Sequence, residues 1–199
     1  MLHIISFFTD MQPVRLTAAF CIYSVLGWCM ESAYMSFCNR RLTNRGFMKG
    51  PFCPIYGVGA LAGYFLLRGF AGNLFLLYFA GAFCATAFEY LVGRLMLRLF
   101  GEVWWDYHEK PFNYQGLICL ESTIAWGFYA VIIIGFLHGA VMKYAGWYTY
   151  GRGRLVLRVV LLVVLIDFFW HLLAALHVDV AEKRDRLMER CRGFLNRRY

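Results

Sequence analysis

The sequence predicts an all-α, polytopic membrane protein: a bundle of about five transmembrane helices, N-terminus outside and C-terminus cytoplasmic. Three observations carry this reading. Hydrophobic residues make up 61% of the chain and charged residues only 16%, against roughly 25% charged in a soluble domain. The charges are bunched between long apolar runs, the pattern of membrane spans and not of a soluble core. Lys and Arg are divided unequally among the connections, which sets orientation. No linker or composition break divides the chain, so residues 1–199 are expected to form one bundle.

The first ten residues, MLHIISFFTD, lack a basic stretch before their short apolar run. They read as an interfacial segment and not as a signal peptide. Spans follow near 16–38, 52–69, 74–100, 117–142 and 155–177, each near the ~20 residues that cross a hydrocarbon core of about 30 Å. The second is short and glycine-rich, and it is opened by Pro51 and Pro54; proline suits a first helical turn, where its missing N–H is no loss. Gly57, Gly59, Gly63 and Gly81 offer small faces for close helix contacts with other subunits.

Arg40, Arg41, Arg45, Lys49, Arg94, Arg98 and Lys110 fall on the same side as the basic tail 179–199. This majority side is expected to be cytoplasmic. The asymmetry accounts for the net charge of +8, and the tail is expected to form a short helix on the anionic inner leaflet, with membrane lipids and not nucleic acid as its partner. Trp147, Tyr148 and Tyr150 fit an interfacial aromatic belt. The seven cysteines form no C-x-x-C pair and read as small hydrophobes.

Four acids lie inside the apolar runs: Glu31, Glu89, Glu121 and Asp167. A carboxylate at membrane depth costs about 2.5–3.5 kcal/mol or more unless it has a partner, a proton or a wet cavity. Counted from the inner ends of their spans, all four reach the inner half of the membrane. Arg94 lies near that layer, and Asp167 and His171 share a helix face at i, i+4. These six residues are the candidate lining of a polar cavity open to the cytoplasm. The alternative is that each acid pairs with a base, such as Glu89 with Arg94 or Arg98, and locks the bundle.

Segment 101–116, GEVWWDYHEKPFNYQG, is unusually aromatic and acidic for an inner loop. It is expected to fold back as a lid over the cavity mouth, with Trp104, Trp105, Asp106, Tyr107, Asn113 and Gln115 as its candidate residues. Arg45, Lys49 and Tyr56 are expected at the rim, with the two cations suited to an anionic group. No catalytic residue, metal site or cofactor is expected. The Glu-x-x-His pattern of carboxylate di-metal sites is absent, as are the P-loop, H-E-x-x-H and G-x-S-x-G motifs. Any ATPase would therefore be a separate subunit.

Three blocks carry a resemblance. They are Leu26-Gly27-Trp28 with Glu31; then Asn44 to Phe47, Gly50-Pro51 and Pro54 to Gly57; then Glu89-Tyr90, Trp104 to Tyr107, Phe112-Asn113, Gln115-Gly116, Cys119 to Glu121 and Trp126-Gly127. In order and spacing the chain resembles the ABC-transporter type IV permeases, small bacterial multi-pass membrane proteins. The resemblance implies a transport permease subunit of the cell membrane, associated with a separate ATPase, with other membrane subunits or with further copies of itself. Two other functions fit the residues: a membrane-embedded enzyme acting on a lipid or lipid-linked phosphate, and a regulatory or assembly protein.

Overall fold

The structure, a computed structural model, describes residues 12–44, 48–101, 103 and 105–195, with side chains described through residue 174. Among these residues no strand forms, and five helices make up the fold. They are α1 (Pro13–Asn39), α2 (Pro54–Leu67), α3 (Leu74–Phe100), α4 (Leu120–Trp147) and α5 (Gly151–Leu195). Four of them, α1, α3, α4 and α5 up to Ala174, are long and apolar enough to cross a membrane. Large apolar side chains such as Phe37, Phe83 and Trp170 are exposed on the outer faces. Such a surface suits lipid and not water.

Helix α1 starts on Pro13, where the missing N–H is no loss, and stops where Arg40 turns left-handed at φ 50°. The chain then does not leave the bundle. Met48, Phe52 and Cys53 are buried, and the Cys53 N–H donates to the Ser24 carbonyl at 3.0 Å. Ser24 lies about 22 Å back along α1 from Asn39 at 1.5 Å per residue. Irregular backbone at that depth survives only where protein satisfies it. Here Ser24 does so, together with the Asp167 carboxylate, which accepts from the Gly50 N–H at 3.0 Å.

Only then does Pro54 open α2, antiparallel to α1. The sequence predicts a second full span at 52–69, but α2 has 14 residues, about 21 Å, short of a core of about 30 Å. Prolines 51 and 54 and the descending leg take up the rest of the depth. Gly27 of α1 permits this packing, since any side chain there would run into the ring of Tyr56, and one at Gly57 would meet Phe20 and Ser24. A 3-10 turn, Arg68–Phe70, leads to Asn73, whose side chain caps α3 by accepting from the Leu76 N–H at 3.1 Å.

Helix α4 packs along α3, with Ala130 close against Gly81 and a Thr86–Thr123 hydroxyl bond of 3.0 Å. The small faces at Gly57 and Gly81, expected to meet other subunits, are thus used inside the chain. Residues Val131–Leu137 of α4 are wound as π-helix, a local widening often found at functional sites. Beyond it, His138 bonds the Tyr23 hydroxyl at 3.0 Å, and the Met142 carbonyl accepts from Arg15 at 3.0 Å. Helix α5 buries Leu157 against this core and is otherwise largely exposed. It runs unbroken to Leu195, so the described part of the tail, 179–195, continues the last span where a short helix of its own was expected.

Candidate functional site

Glu89 stands in the middle of α3 and is 6% exposed. Its Oε1 accepts from the Tyr107 hydroxyl at 3.1 Å. Its Oε2 accepts from Trp126 Nε1 at 3.0 Å and lies 3.2 Å from Ser122 Oγ. Ser122 and Trp126 are i, i+4 on α4, so both face α3. The start of α4 is fixed by a reciprocal cap in which Cys119 Sγ accepts from the Ser122 N–H and Ser122 Oγ accepts from the Cys119 N–H. All three partners of Glu89 are neutral. Among the described residues no Lys, Arg or His bonds it. Hydrogen bonds to a charged acceptor are each worth about 1.5–3 kcal/mol, and they offset part of the cost of holding a carboxylate at this depth.

Tyr107 comes from loop 101–119, which is organised by its own polar residues. The Tyr107 N–H donates to the Gly116 carbonyl at 2.9 Å, and Asn113 donates to the carbonyls of His108 and Lys110 and accepts from the Gly116 N–H. Gln115 and Gly116 turn left-handed at φ 56° and 67°. Trp105 Nε1 donates to the Leu117 carbonyl at 2.8 Å. Both side chains lie against Gly93, where a Cβ would be within 3.0–3.2 Å of them. The loop thus inserts Trp105, Tyr107 and Leu117 into the bundle. Burial, with the Glu89 carboxylate beside it, holds the Tyr107 phenol well above its usual range, so it stays a donor at any ordinary pH. Asp106 is exposed and is held below its usual range by the His108 N–H.

Glu31 lies one helical turn after Gly27, on the α1 face that receives Tyr56, and the Tyr56 hydroxyl bonds it. Glu31 and Glu89 both border a cavity of about 230 Å³ between α2, α3 and α4. Tyr56, Trp105, Tyr107 and Trp126 surround that end. Gly63, Leu66, Leu67 and Ala130 line the other, together with Ile133 and Ile134 from the π-wound turns.

The remaining candidates lie elsewhere. Glu121 is exposed and pairs with Lys110 at 2.8 Å on the surface, because it precedes the turn of α4 that faces α3. Asp167 meets His171 at 3.1 Å through one carboxylate oxygen and holds the descending leg through the other, which accepts from the Gly50 N–H. Arg94 is exposed on the outer side of α3 beside Arg98 and does not meet Glu89. Lys49 is exposed, while Asn113 and Gln115 build the loop. Arg45 and Trp104 lie outside the described residues. The shared layer of four acids is therefore divided: two border one cavity and two hold surface or loop contacts. The cavity itself is mostly apolar, where a polar one was expected.

These geometries close the third sequence block on Glu89, and Tyr56 of the second block meets Glu31 of the first at the same cavity. A sequence profile of the family described as Putative ABC-transporter type IV matches residues 18–172. The chain belongs to this family. It is a multi-pass membrane protein of ABC-transporter type. Comparison with curated proteins and with solved structures finds no match. Within the family region, Ser122 and Trp126 stand at the site although neither was expected there. Their spacing of four was the available signal, but only the fold shows that both point at Glu89.

Proposed function

We propose that this chain is a transport permease subunit that holds its cargo in the cavity bordered by Glu31 and Glu89. The observation that carries the reading is Glu89: a carboxylate buried in a membrane-crossing helix, held by the neutral donors Tyr107 and Trp126 with Ser122 Oγ beside them, at the wall of a cavity. Such groups inside membranes mark pathways for substrates and ions. The Lys and Arg bias turns the end bearing loops 40–44 and 101–119 toward the cytoplasm. A separate ATPase would dock there, since this sequence carries no P-loop.

The lipid-phosphate enzyme needs a cationic clamp. Among the described residues bordering the cavity there is no Lys, Arg or His, so no observation favours that reading. Affinity purification of the tagged chain from gently solubilised native membranes tests the subunit reading. The expected result is a stoichiometric partner that hydrolyses ATP. A monodisperse solitary monomer, with no ATPase recovered after cross-linking, would remove it.

A further inference from the structure

The cavity is built unequally along its length. One end is acidic and aromatic, and the other is aliphatic. On α2 the order is Tyr56, Gly59, Gly63, Leu67, and α3 runs antiparallel to it, with Phe88 against Gly59 and Gly81 against Leu67. A molecule lying along this groove would meet Glu89 and the aromatic rings with one end and only hydrocarbon with the other. Water alone fits the aliphatic end poorly, because a buried water needs two to four polar partners.

Glu89 has room for one further bond. An ionised carboxylate offers about four acceptor positions. Oε2 lies in reach of Trp126 and Ser122, and among the described residues Oε1 accepts from Tyr107 alone. The rings of Tyr56, Trp105, Tyr107 and Trp126 stand around this position. Aromatic faces attract cations and do so more strongly away from water. An anion would meet the carboxylates with no counter-charge from the described wall.

We propose that the cavity selects a small organic ammonium ion. Its N–H donates to Glu89 Oε1 within the aromatic ring set, and its apolar body lies along Gly59, Gly63 and Leu67. At about 230 Å³ the space is below the roughly 300 Å³ of drug-sized sites, so the ligand is compact. This assignment rests on the cavity being the cargo site, and it deepens that reading by naming the chemical class.

The test uses the full chain in lipid nanodiscs, with 2-phenylethylammonium as probe and propylbenzene and phenylacetate as its neutral and anionic counterparts. Trp105 and Trp126 supply the fluorescence signal. The ammonium is expected to bind saturably and at least tenfold more tightly than either counterpart. Glu89→Gln should erase that preference. Gly63→Leu, which adds bulk where no atom lies within 4 Å of a new Cβ, should weaken the probe at least tenfold while leaving Glu89 and its bonds intact. Equal binding of the three compounds, or a folded Gly63→Leu protein that binds the ammonium as wild type does, overturns the assignment. Binding is read without any ATPase. Failure of the ammonium preference in a complex that still recruits an ATPase removes the chemical class alone, and ammonium binding by a chain that recruits none removes the permease reading alone.

Discussion

At the scale of single residues, what sets Glu89 apart from Glu121 is the neutrality of its partners. Glu121 satisfies itself with Lys110 in solvent-accessible surroundings, whereas Glu89 depends on Tyr107, Ser122 and Trp126. Trp126→Phe and Tyr107→Phe are each expected to destabilise the protein by about 1–3 kcal/mol, because a buried acceptor loses its donor. In a Glu89→Leu background the same substitutions should cost less. A double-mutant cycle from thermal unfolding in detergent should give a coupling of at least about 0.5 kcal/mol. Additive effects would show that the rings stabilise by packing alone. Glu121→Gln, by contrast, should leave the unfolding midpoint unchanged, since an exposed ion pair contributes little and is screened by salt. The four acids are plain in the sequence, but hydropathy gives depth and not azimuth. It could not show that Glu121 faces outward while Glu89, on the next helix, faces in.

At the scale of elements, the descending leg 48–53 is the least regular part of the core and the most dependent on single bonds. Asp167 on α5 accepts from Gly50, and Ser24 on α1 accepts from Cys53. Asp167→Ala is expected to cost about 1–3 kcal/mol through the orphaned Gly50 N–H, and to raise hydrogen exchange at residues 48–53 ahead of global unfolding. Asp167→Asn keeps an acceptor and should retain most of the protection. Equal exchange in all three proteins would show that apolar packing of Met48 and Phe52 holds the leg unaided. Prolines 51 and 54 signal a helix start near 52; α2 starts at Pro54, and Pro51 lies in the leg before it. The predicted span 52–69 also takes in Phe52 and Cys53 of the leg and Arg68 and Gly69 of the 3-10 turn, because hydropathy cannot tell an α-helix from packed coil or a tighter turn. Loop 101–119 was legible as unusual from its composition. Its hydrogen bonds show why: the loop's own amides and carbonyls satisfy one another, freeing Tyr107 to reach Glu89.

At the scale of the whole molecule, the five helices, four of them long and apolar enough to cross a membrane, alternate in direction and leave Gln12 and Leu195 at opposite ends of the bundle. Loops 40–44 and 101–119 share one end. Contacts of Arg15 with Met142 and of Asp167 with Gly50 fix the antiparallel order. With the positive-inside bias, cysteines introduced at Asn113 and Arg41 should be labelled only from the cytoplasm, and one at Lys143 only from outside. Labelling of Asn113→Cys and Lys143→Cys from the same side would contradict this arrangement. The helical class, the placement of the four long apolar helices and the family blocks were all readable from periodicity, charge and motif order. The cavity was not, because its walls come from three helices whose mutual rotation depends on close approaches such as Gly27 to Tyr56 and Gly81 to Ala130.

The most direct test of the central claim is an experimental structure of the protein in lipid, detailed enough to place the side chains around Glu89 and any density between α2, α3 and α4. The account predicts Trp126 Nε1 and the Tyr107 hydroxyl within hydrogen-bond distance of the Glu89 carboxylate, beside a cavity holding a compact molecule whose polar end points at Oε1. A Glu89 turned toward acyl chains or paired with Arg94, over a space closed by its own side chains, would contradict it.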